Sequence, residues 1–68
     1  ENGLSIYPNP VVSDNVTFNK TVSVTVYSIT GQVILVQQNI NTLNVSSFES
    51  GMYLIETTEG EIVKMIVK

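Results

Sequence analysis

Val22-Ser23-Val24-Thr25-Val26 sets a valine at every second position with a hydroxyl residue between. A strand gathers all three valines on one face, whereas a helix would scatter them around its circumference. The bias is general: Val, Ile and Thr supply 25 of the 68 residues and alanine is absent. Such β-branched side chains suit a pleated, half-buried surface and are stiff in a helix. A chain of this length buries only ~60% of the surface it exposes when unfolded, so its core is thin.

The same alternation marks further strands. Leu4 and Ile6 point inward from a first strand that Pro8 and Pro10 stop. Val16 and Phe18 share one face of a second, and the valines above form a third. Parity breaks at Tyr27-Ser28-Ile29, which predicts a bulge before a turn at Thr30-Gly31. The returning arm, Gln32 to Gln37, is apolar on both faces and so meets either a cover or a partner. Asn39 and Asn41 mark the next turn, after which Leu43 and Val45 point inward. A corner at Ser46 to Gly51 leads into a strand from Met52 to Thr57, and Glu59-Gly60 closes a hairpin into Ile62 to Val67. About seven short strands with regular turns predict an all-β chain: one small immunoglobulin-like antiparallel β-sandwich over residues 1–68. Gly51-Met52-Tyr53 supports that topology, because a tyrosine entering a late strand can return its hydroxyl to upstream backbone as a tyrosine corner. Ile55 would then point inward.

Chemistry is scarce. The chain has no His and no Cys, which removes the usual nucleophile pairs, the two commonest zinc ligands and any disulfide. Glu59 and Glu61 straddle Gly60 as a solvated turn pair without the walls a glycosidase cleft needs. Calcium calls for more clustered oxygens than Asp14-Asn15 and Asn39-Asn41 offer. Isolated Gly31, Gly51 and Gly60 form no phosphate cradle. Three sequons, at Asn15, Asn19 and Asn44, are what an Asn-, Ser- and Thr-rich chain yields by chance. With a net charge of −3 and no arginine, there is no basic patch for nucleic acid. No apolar run approaches the ~20 residues of a membrane-spanning helix. Neither catalysis nor a cofactor is expected. Aromatic residues total 7%, a poor basis for Tyr7, Tyr27 and Tyr53 as a sugar-stacking platform.

Several segments, in order, resemble the type A C-terminal sorting domain of the type IX, or Por, secretion system. Leu4 to Pro10 matches its opening strand running into Pro8-Asn9-Pro10. Val24 to Val33 is similar to its central strand and the turn at Gly31. Leu43 to Tyr53 resembles its late corner with Gly51 and Tyr53. Lys64 and Lys68 stand where the family carries lysines in its closing strand. The turn before Gly31 departs from the family, reading Tyr-Ser-Ile-Thr where many members carry an acidic residue.

The resemblance implies a non-enzymatic signal at the end of a larger secreted protein. An upstream cargo would cross the outer membrane of a Gram-negative bacterium, via the periplasm, through the type IX translocon. A sortase-like C-terminal signal peptidase would then remove the domain. The recognition residues it implies are Pro8, Asn9, Pro10, Gly31, Gly51, Tyr53, Lys64 and Lys68. Val63, Met65 and Val67 would anchor the last strand, with Lys64, Ile66 and Lys68 outward. Apolar Ile34 and Val36 invite a receptor contact or weak self-association. A fibronectin-like adhesin or carbohydrate-binding module appended to a secreted enzyme is the alternative.

Overall fold

The computed structural model describes residues 3–7, 9 and 14–68, and every regular element among them is a strand. They are β1 (Ile6–Tyr7), β2 (Asn15–Ser28), β3 (Val33–Asn44), β4 (Gly51–Thr57) and β5 (Ile62–Val67), all paired antiparallel. β2 is the spine. β3 runs along one of its edges. The other edge is shared, with β1 opposite its first part (Ile6 on Phe18) and β4 opposite its second (Val24 on Thr57 to Ser28 on Tyr53). β5 extends the sheet from β4.

The all-β antiparallel class is as expected, but the described residues form five strands rather than seven. The segments around Val16 and Val24 are one continuous β2, and the arms holding Leu35 and Leu43 are one continuous β3. What the sequence marks as a turn at Asn39 and Asn41 is a bulge within a strand. Val24 faces Gln37 while Val22 faces Ile40, so Gln38 and Asn39 both stand opposite Ser23. Asn39 adopts a left-handed φ of 56°, and its N–H bonds the Ser23 hydroxyl at 3.1 Å. Asparagine visits that region readily and a β-branched residue does not. Asn39→Val should therefore cost about 1–2 kcal/mol and Asn39→Gly almost nothing, as read from urea midpoints.

The bulge expected before the turn lies instead beyond it, on the returning arm: Val26 faces Leu35 but Tyr27 faces Val33, so Ile34 is the extra residue. The hairpin tip is closed by Ser28 N–H to the Gln32 carbonyl (2.8 Å) and Gly31 N–H to the Ser28 carbonyl (2.9 Å). The β4–β5 hairpin repeats that pattern, with Thr57 N–H to Glu61 (2.8 Å) and Gly60 N–H to Thr57 (3.0 Å). Gly31 and Gly60 have φ of 95° and 93°. Three-residue hairpin loops end on such a left-handed residue, which is why glycine stands at both tips.

The strand alternation delivers one core. Val16, Phe18, Val22, Val24 and Val26 from β2 meet Ile6, Leu43, Val45, Ile55, Met65 and Val67. Burying each such side chain is worth ~1.5–3 kcal/mol. Side chains tie the segments flanking β1 to the far end of the sheet: Leu4 N–H reaches a Glu61 carboxylate oxygen at 3.1 Å and the Asn9 amide reaches β5.

Candidate recognition surface

β5 carries two faces of opposite character. Met65 and Val67 are buried and Val63 is half-buried, whereas Lys64, Ile66 and Lys68 are exposed. Period-two alternation alone produces this, and it holds the two lysines outward on an anchored strand. On the sheet, Ile66 stands opposite Met52 and Lys64 opposite Leu54.

Asn9 is joined to this strand. Its side-chain N–H donates to the Lys64 carbonyl at 3.0 Å, and its side-chain oxygen accepts the Ile66 N–H at 3.1 Å. One carboxamide thus satisfies a carbonyl and an N–H on the strand's outer edge, as a neighbouring peptide unit would. Prolines on either side of it in the sequence carry no N–H to offer a strand. Pro8 and Pro10 themselves lie outside the described residues.

The tyrosine corner is present. Tyr53 donates its hydroxyl to the Glu49 carbonyl at 2.7 Å, and its ring lies 5.0 Å from that of Phe48. Gly51 opens β4 opposite Val67, and Tyr53 stands opposite Met65. Asn9, Gly51, Tyr53, Lys64 and Lys68 are therefore grouped around β5 and its neighbour. Gly31 is not among them and sits at the tip of the β2–β3 hairpin.

The acidic turn differs from its reading as a freely solvated pair. Glu59 is open to solvent, but the Glu61 side chain is only 32% exposed. Glu61 Oε2 accepts the Leu4 N–H, while Oε1, shielded from water, faces the Lys20 ammonium at 3.2 Å. Glu59 lies 3.8 Å from the same ammonium. Glu61 pins the segment before β1 to the β4–β5 hairpin, and both carboxylates hold that hairpin toward Lys20 of β2. They do not flank a cleft.

Nor do the tyrosines make a platform. Tyr53 is bound to Glu49, Tyr27 donates to Glu56 Oε1 at 2.9 Å, and Tyr7 alone of the three is more exposed than half. The bond to Glu56, helped by partial burial and the carboxylate's charge, raises the Tyr27 pKa above 10.0. The fold thus favours the neutral phenol. That contribution is complete below pH 10.0 and is lost as pH rises through the higher folded value. In an ultraviolet titration of the folded protein one tyrosine should ionise late, and Tyr27→Phe should remove that phase.

A family described as the secretion system C-terminal sorting domain matches residues 5–68 of the chain. The chain belongs to that family. No curated protein and no solved structure matches it. The sorting domain is a signal for type IX secretion, so it engages that machinery, and a protein carrying it is secreted or displayed at the cell surface. The resemblance brought Lys64, Lys68, Gly51 and Tyr53 into view, and the Gly51–Tyr53 spacing marked the corner. The sequence carried no sign of the Asn9 contact with β5 or of the Glu61 pin, because both join segments far apart in the chain.

Proposed function

We propose that this sorting domain is a folded, non-enzymatic address label, read on the outward face of β5 that carries Lys64 and Lys68. It follows a cargo domain in the same protein, which reaches the periplasm of a Gram-negative bacterium separately. The outer-membrane translocon recognises the folded label, and a sortase-like peptidase cuts upstream of it. The observation that carries this reading is the anchored last strand: buried Met65 and Val67 fix the directions of Lys64 and Lys68. Two ammonium groups at fixed positions offer charge recognition that a mobile tail would not.

The test is export of a periplasmic reporter joined to residues 1–68, in a type IX-competent strain and in one lacking the translocon. Reporter should reach the surface or medium only in the first. Lys64→Ala with Lys68→Ala should lower that export several-fold while the fold is kept. Full export of the folded double variant would remove the lysines from the recognition surface.

A further inference from the structure

The two long edges of this sheet are treated differently. On β5 the outer edge is occupied by the Asn9 side chain at Lys64 and Ile66, and Lys64 and Lys68 add charge beside it. On β3 the arm from Val33 to Gln38 pairs with β2, and among the described residues no strand lies along its far side. Exposed edges normally carry charge, proline or a cover, since bare backbone there pairs with other chains. This one carries none of those residues. From Thr21 to Phe48 no side chain is charged and none is proline.

The side chains point the same way. Val33, Ile34 and Val36 remain 58%, 43% and 56% exposed, which is unusual for three apolar residues within one turnless stretch. Beside them lies an open groove of about 500 Å³, lined by Ile34, Leu35 and Gln37 on one flank and by Phe48, Glu49 and Tyr53 on the other. That second flank is held in place, because the Tyr53 hydroxyl is bonded to Glu49 and its ring rests on Phe48. Strand addition uses these two parts together: free edge backbone supplies affinity, and a pocket for an alternate side chain supplies specificity.

We propose that the Val33–Gln38 edge of β3, with its adjoining groove, takes up an extended strand of the secretion machinery. The strand carries no acidic residue at the groove, where Glu49 stands, and seats one leucine- or phenylalanine-sized side chain against Phe48 and Tyr53. The proposal rests on the sorting role and names where the partner adds. A second copy of the domain fits less well. Six edge residues span only about 20 Å. Edge-to-edge pairing over that length covers a small part of the ~800 Å² per partner that a stable complex buries. A strand belonging to a larger machine brings further contacts of its own.

The test uses the reporter fusion in the type IX-competent strain. Ile34→Lys with Val36→Lys places charge on exposed positions, so the urea midpoint should hold while export falls about tenfold, equivalent to ~1.4 kcal/mol of lost contact. Independently, a photocrosslinking residue at position 36 should trap a subunit of the machinery during export, and the same residue at position 58, on the β4–β5 tip, should not. Normal export of the lysine variant, with no crosslink from position 36, overturns the edge proposal and leaves the sorting role standing. Crosslinking of one domain to another, with a dimer that Ile34→Lys dissociates, also overturns it by assigning the edge to self-association. Failure of the unaltered domain to direct export removes both readings.

Discussion

Replacing Ile55 with alanine is expected to destabilise the domain by about 3 kcal/mol, the usual loss when a fully buried isoleucine is cut back and its site cannot collapse. Ile55 is wholly buried and stands between Val26 of β2 and Val63 of β5, so the cavity would open where three strands meet. A domain of this size has on the order of 3–10 kcal/mol of stability in all. The variant should therefore show a much lower urea midpoint and, at the low end, substantial unfolding without denaturant. Ile62→Ala is the matched control. Ile62 is 62% exposed, and its truncation should stay within about 0.5 kcal/mol of the parent. The pair also asks what the machinery reads. If a folded surface is the signal, export should fall with the folded fraction for Ile55→Ala and hold for Ile62→Ala. Undiminished export of an unfolded Ile55→Ala variant would mean that a linear stretch of sequence is read instead.

Which residues face inward was legible because a strand's period is two: Val16, Phe18, Val24, Val26, Ile55 and Met65 lie where alternation puts them. The corner was legible too, since Gly51 and Tyr53 sit at the spacing such a bond requires. Strand continuity was not. Asn39 looks like a turn residue, and only the bond from its N–H to Ser23 decides that the chain bulges and continues. The reading of Glu61 failed for a related reason: its partner Leu4 is 57 positions away, a separation at which local composition carries no information. The apolar arm from Val33 to Val36 was visible as an anomaly, but whether it was covered depended on how β1 and β5 were placed around the core.

Asn9→Ala is expected to cost about 2 kcal/mol, because it removes two hydrogen bonds at once and each contributes ~0.5–1.5 kcal/mol net. Both bonds end on β5 backbone, so the loss should appear locally as well as globally. Amide exchange at Ile66 should accelerate, while Met65 and Ile55, buried and paired within the sheet, should change only as far as the midpoint shift requires. Asn9→Asp separates the two bonds. A carboxylate can still accept the Ile66 N–H but cannot donate to the Lys64 carbonyl, and instead sets like partial charges against each other. Ile66 should then keep its protection while stability still falls. An Asn9→Ala domain with unchanged midpoint and unchanged Ile66 exchange would show that β5 holds its edge without help. The expected result instead makes Asn9 the residue that closes one side of the sheet, leaving the β3 edge as the side on which another strand can add.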